Sequence, residues 1–173
     1  MSFGLSARSK RLGALLVLAP VVPAILWWSP LKGSTTDAPP LRLVVDLSSR
    51  QLQVIQNGHL ARTYGVAVGR PGHPTPQGSF RTGNIDWNPA WVPPDVDWAK
   101  NKKPQPPGAP SNPIQGVKIY FKAPDYYIHG TNNPGSIGEA ASHGCIRMTE
   151  SDAKSLARLI QSSGGSVPLL IKS

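Results

Sequence analysis

Asn57-Gly58 stands between two β-rich runs, Gln51–Gln56 and Leu60–Val68, and constrains how they pair. A two-residue type I′ turn needs positive φ at both central positions, and Asn followed by Gly meets that need with little strain. A third run, Leu41–Leu47, precedes them across Ser48-Ser49-Arg50, so an antiparallel meander is expected. The rest of the chain is cut just as short. Nineteen prolines and 17 glycines among 173 residues, with only 16% charged, favour a loop-rich, β-dominated domain over a helical bundle. A hydrophobic content of 39% is too high for a disordered chain.

Gly69–Gly78 (GRPGHPTPQG) breaks regular structure, and Ser79–Thr82 resumes as a short strand. Asn84–Asn112 is a long proline-rich stretch in which Trp87, Trp91 and Trp98 seek burial, so it reads as an ordered lid or binding loop. Val117–Phe121 and Tyr126–His129 pair across Ala123-Pro124-Asp125. Thr149-Glu150-Ser151-Asp152 resembles a capping box, and Ala153, Leu156, Ala157 and Ile160 supply one apolar helical face that ends at Gly164-Gly165. Val167–Ile171 is a closing strand.

The first 33 residues are a separate object. Arg8, Lys10 and Arg11 precede an uncharged apolar run, residues 12–28, which reads as an export signal or membrane anchor. An uncleaved anchor is favoured, because no convincing small-x-small cleavage site follows Trp28. Basic residues before the span place the remainder outside the cytoplasm, in the periplasm or on the cell-wall side. The expected organisation is an anchor over 1–33, a linker over 34–40 and a folded domain over 41–173. The net charge is +9; residues 1–33 hold four of the cations and no acid, which leaves +5 for the rest. That excess suits an anionic polymer or a membrane surface, and no nucleic-acid motif accompanies it.

Cys145 is the single cysteine, so it forms no internal disulfide and its thiol stays available. It lies in Ser142-His143-Gly144-Cys145-Ile146-Arg147, sixteen residues after His129 in Ile128-His129-Gly130-Thr131. A histidine beside a thiol lowers its pKa and takes its proton, and a glycine lets backbone N–H groups turn toward an oxyanion. Local sequence alone does not choose between His129 and His143 as base. His129 ends a predicted strand and can reach across to the sulfur, which favours it, with His143 supporting the site or the substrate. Arg147 fits a substrate carboxylate through its planar fork, or else a structural ion pair. Thr75, Gly78 and Ser142 read most simply as turn residues. A zinc site on His129, His143 and Cys145 is the rival arrangement, but His59 and His73 lack metal-type spacing, and no metal or cofactor is expected.

These spaced motifs resemble the L,D-transpeptidase catalytic domain: His129-Gly130-Thr131, then Ser142-His143-Gly144-Cys145-Ile146-Arg147-Met148, with GRPGHPTPQGSF, NPAWVPP and the Asn112-Pro113-x-x-Gly116 turn upstream. The match runs from about Leu41 to Ile171. It implies a mostly β sandwich or barrel with one capped helix after the cysteine and a long lid-like loop. It also implies action on peptidoglycan stem peptides as donor and acceptor, and acylation by carbapenems. Cys145 would attack the third stem residue and expel D-alanine. His129 would be the base, held by a backbone carbonyl near Gly130 or Thr131, and the N–H groups of Gly144 and Cys145 would form the oxyanion hole, with His143 contributing. Arg147, Ser142, Gly130 and Thr131 would line the substrate. Water in place of the acceptor amine would give an L,D-carboxypeptidase, and a non-catalytic wall-binding or zinc-binding protein is the third class.

Overall fold

The computed structural model describes Met1 and residues 40–173. The expected anchor and most of the expected linker lie outside the described residues. Among the described residues, no helix is long and apolar enough to cross a membrane.

The meander forms as the turn chemistry dictates. Strands β1 (Leu41–Asp46), β2 (Gln51–Gln56) and β3 (His59–Gly65) pair antiparallel, and Asn57 and Gly58 adopt φ of 51° and 83°. Alternation places Leu41, Leu43, Val45, Leu52 and Val54 in the core, while β3 is exposed along most of its length. The run expected as one strand over Leu60–Val68 divides. The Val66 N–H leaves β2 for the Arg50 carbonyl, and Ala67 pairs through both backbone groups with Arg147. Two short strands follow the break: β4 (Val68–Gly69) and β5 (Gly78–Arg81).

The closing strand, β11 (Pro168–Lys172), inserts between β1 and β5, parallel to β1 and antiparallel to β5. The first sheet therefore has the order β3-β2-β1-β11-β5. The second runs β10-β8-β7-β6, from Ile146–Met148 (β10), Tyr126–Thr131 (β8), Ile114–Lys122 (β7) and Ile85–Trp87 (β6). Strand β9 (Ala140–Ser142) pairs only with β4. The sheets form a sandwich and do not close into a barrel.

The single α-helix among the described residues, α1 (Glu150–Ser162), packs on β7 and β8 and sends Ala153, Leu156, Ala157 and Ile160 into the core. Its start is half of the expected box. The Thr149 hydroxyl oxygen accepts the Asp152 N–H at 3.2 Å, worth about 1 kcal/mol. Its hydroxyl hydrogen goes to the Asp152 carboxylate at 2.7 Å, because Asp is a methylene shorter than the glutamate of a full box. At the other end the Gly165 N–H returns to the Ile160 carbonyl at 2.9 Å.

The stretch expected as one loop over residues 84–112 begins as strand β6, paired with β7, and the remainder is pinned at its base rather than loose. Asn112, fully buried, donates to the carbonyls of Pro89 and Pro106 at 3.0 and 3.1 Å and accepts the Ile114 N–H at 2.8 Å. Trp91 is buried and bridges Gln105 in both directions. Trp87 departs from expectation. It is 40% exposed, with the Arg158 guanidinium over its ring.

Candidate active site

Parallel pairing of β8 and β10 sets Ile146 opposite Ile128 and Arg147 opposite His129. Alternate residues of a strand face opposite sides. Ile128, Ile146 and Met148 are fully buried in the core, so Tyr127, His129, Cys145 and Arg147 turn the other way, into a cavity of about 910 Å³. The loop over residues 84–112 walls its far side with Trp91, Val96, Trp98, Lys102 and Lys103.

A tight turn delivers the cysteine. Gly144 sits at φ +109°, and a Cβ there would lie 2.8 Å from Tyr126 and 3.3 Å from the Pro74 carbonyl oxygen. Only glycine fits both the dihedral and the space. The Ser142 hydroxyl ties the turn, donating to the Cys145 carbonyl at 2.6 Å and accepting the Gly144 N–H at 3.0 Å.

His129 is buried and donates from Nδ1 to the Gly130 carbonyl at 2.8 Å. That bond selects the tautomer whose Nε2 is an unprotonated acceptor, the form a base requires. Burial depresses its pKa to about 4, against the Gly130 bond and with help from Arg147 and Lys118. The ring is therefore neutral near pH 7.

The thiol corrects one sequence expectation. Cys145 is half-buried, and burial pushes its pKa up to about 11 even though Tyr127 and Arg147 pull it down. The thiol donates to the Asp125 carbonyl at 3.3 Å, and no hydrogen bond joins it to His129 among the described residues. The resting pair is a thiol and a neutral imidazole rather than an ion pair, because desolvation opposes both charges.

His143 turns toward the loop. Its Nε2 accepts from the Arg70 guanidinium at 2.8 Å, His73 meets its edge at 4.8 Å, and Trp98 lies flat on its face. Burial, Arg70 and His73 lower its pKa to about 4. Arg147 faces the cavity half-buried and stays cationic, although burial lowers its pKa.

Cys145, His129, His143, Arg147 and Ser142 thus converge on one cavity. Four expectations change. The Gly144 N–H is committed to Ser142, so it is not free for an oxyanion, while the Cys145 N–H has no acceptor among the described residues. Gly130 and Thr131 are buried and stand outside the cavity lining. Gly130 supplies the His129 acceptor and leaves no room for a Cβ, which would sit 2.2 Å from the Gln115 oxygen, while Thr131 accepts the Asn133 N–H. Ser142 braces the turn rather than presenting its hydroxyl. Sequence reasoning passed over Arg70, Tyr127 and Asp125. Tyr127 shares strand parity with His129, a signal that was available; Arg70 and Asp125 arrive from loops. Among the described residues no three His, Cys, Asp or Glu side chains cluster as metal ligands.

A buried, tautomer-fixed imidazole and a lone thiol face one cavity on the rim of a β-sandwich. The model of the L,D-transpeptidase catalytic domain (YkuD) matches residues 40–168, and the chain belongs to that family. YkuD of Bacillus licheniformis is 35% identical over 124 residues, covering 72% of this chain and 62% of the relative, so the chain spans under two thirds of that protein. A cysteine-to-serine mutant of the Enterococcus faecium L,D-transpeptidase shares the fold, with TM-score 0.60 at 20% identity over 78% of this chain and 50% of that one. So does the L,D-transpeptidase LdtMt1, solved in complex with imipenem, with TM-score 0.57 at 20% identity over 77% and 59%.

Proposed function

We propose that this protein is a peptidoglycan L,D-transpeptidase with Cys145 as nucleophile and His129 as general base. The observation that carries it is the parallel β8–β10 pairing, which presents the thiol and an imidazole with its Nε2 unprotonated to one cavity. Export to the cell-wall side, with residues 12–28 as anchor, completes the proposal; Arg8, Lys10 and Arg11 before that apolar run support it.

The thiol proton passes to His129 Nε2 as the sulfur attacks the carbonyl of the third stem residue. The Cys145 N–H receives the developing oxyanion. The tetrahedral intermediate collapses with cleavage of the amide C–N bond, and His129 returns the proton to the departing D-alanine amine. In the second half an amine of another stem attacks the thioester, a C–N bond forms, the C–S bond breaks, His129 takes the amine proton, and the departing thiolate recovers that proton from His129. Arg147, half-buried beside the sulfur, binds a stem carboxylate and favours the thiolate as it forms. Water in place of the amine yields a tripeptide acid, the carboxypeptidase reading, through the same residues.

Intact-mass spectrometry after incubation with imipenem tests the nucleophile. A mass increase on the wild type that is absent from Cys145→Ala is the expected result. No increase on the wild type, or an equal one on Cys145→Ala, overturns the assignment in favour of a non-catalytic binding protein. Stem tetrapeptide incubated with and without a diamino-acid acceptor then reads the reaction. Cross-linked product supports transfer, and tripeptide alone excludes it.

A further inference from the structure

The loop that ends at residue 112 is hydrogen-bonded at its base, and at its tip it rests on buried Ala99 and on Trp98. Asn112 and the Trp91–Gln105 bridge fix the base. Asp95, Val96, Asp97 and Lys100, around the tip, are exposed. From that tip Trp98 reaches back and stacks on His143, with centroids 3.9 Å apart and planes at 13°. Arg70 donates to His143 Nε2 at 2.8 Å and fixes the plane of the imidazole, and His73 backs its edge. The receiving residue lies two positions before Cys145, so the stack ties the tip of the loop to the turn that carries the sulfur.

We propose that the Trp98–His143 stack, braced by Arg70, is a latch that holds the loop over the acylated cysteine and sets whether an amine or water resolves the thioester. This rests on the acyl-enzyme proposed above. The two fates share every reacting group of the protein. The amine forms a C–N bond and water a C–O bond; in both the C–S bond breaks, the electron pair stays on sulfur, and the incoming nucleophile loses a proton to His129. The base cannot discriminate between them, so selection falls on what reaches the carbonyl. Water enters whenever the tip lifts, whereas an acceptor amine arrives on a peptide large enough to fill the cavity beside Trp91 and Val96. Trp98, His143 in this role, and Arg70 are positioning residues.

Trp98→Ala, Trp98→Phe and Arg70→Gln test the latch, with Trp87→Ala as control, since Trp87 lines no part of the cavity. Two readouts are taken on each protein: the ratio of cross-linked product to tripeptide with a diamino-acid acceptor, and the rate at which the imipenem adduct on Cys145 is lost to water. Loss of one aromatic stack corresponds to about a two- to tenfold shift in loop closure, so Trp98→Ala is expected to move both readouts toward hydrolysis by that factor. Trp98→Phe, which keeps a ring to stack, recovers most of the wild-type values, Arg70→Gln shifts them in the same direction as Trp98→Ala, and Trp87→Ala leaves them unchanged. Wild-type adduct lifetime and product ratio in both Trp98→Ala and Arg70→Gln overturn the latch while leaving the nucleophile intact. If Trp98→Ala fails to fold, Arg70→Gln and Trp98→Phe decide: no shift with Arg70→Gln overturns the latch. Absence of any adduct on the wild type instead overturns the acyl-enzyme itself.

Discussion

His129 on β8 and Arg147 on β10 stand opposite one another in a parallel ladder, their neighbours Ile128 and Ile146 buried behind them. The pairing explains why two segments sixteen residues apart converge. Once the isoleucines take the core face, strand parity sends Tyr127 and His129 from one strand, and Cys145 and Arg147 from the other, into the same cavity. The imidazole and the sulfur owe their positions to apolar residues buried on the opposite face.

His129→Ala is expected to reduce imipenem acylation by about 10²–10⁴-fold, the usual worth of a general base. His143→Ala should reduce it far less, since that ring is engaged by Arg70 and Trp98 rather than by the sulfur. Adduct formation followed by mass spectrometry checks the order. The reverse order moves the base to His143.

Alkylation of Cys145 by iodoacetamide should rise with pH through 9 and 10 without a plateau below that range, because burial sets the thiol pKa at about 11. A plateau near neutrality would mark a thiolate–imidazolium pair in the free enzyme. Acylation by imipenem should stay near its full rate at neutral pH and fall on acidification toward 4, where His129 becomes protonated. His129 also makes folding pH-dependent. Its folded pKa lies below the ordinary 6.5, so the unfolded chain binds the proton more tightly and stability is lost as pH falls from about 6.5 toward 4.

Gly144→Ala forces a side chain into φ +109° and to within 2.8 Å of Tyr126. Strain at such a position costs about 1–3 kcal/mol. Thermal unfolding should show a lowered midpoint, and the adduct should form more slowly because the turn carrying Cys145 must shift. A variant that melts and acylates like the wild type would show that the turn relaxes at no cost.

Asn112→Ala leaves the Ile114 N–H and two carbonyls without their side-chain partner inside the protein. Leaving a buried polar group unpaired costs about 1–3 kcal/mol. A lower melting temperature and faster proteolytic nicking within residues 84–112 are expected. Unchanged nicking would place the anchor of the loop in the Trp91–Gln105 bridge instead.

Local chemistry was readable wherever neighbours in the chain decide the outcome. Asn57-Gly58 closes its hairpin, Thr149 caps α1, and Gly165 ends it. Cys145, His129 and the family pattern around them were readable too, because a thiol, two imidazoles and their glycines are rare in such proximity. Departures came where a distant partner intervened. Leu60–Val68 divides because Ala67 pairs with Arg147 from the other end of the chain. Trp87 stays 40% exposed, with the Arg158 guanidinium of α1 over its ring.

The amino-acid sequence by itself determined the β meander, the capped helix and which thiol and imidazoles are candidates for the site, since turn dihedrals, capping and side-chain reactivity are properties of a few adjacent residues. Only the tertiary structure decided that β11 inserts beside β1, that the resting thiol is protonated, that the Gly144 N–H is spent on Ser142, and that His143 faces Trp98 rather than the sulfur. Each of those depends on desolvation or on a partner brought from far along the chain, and neither is encoded in local spacing.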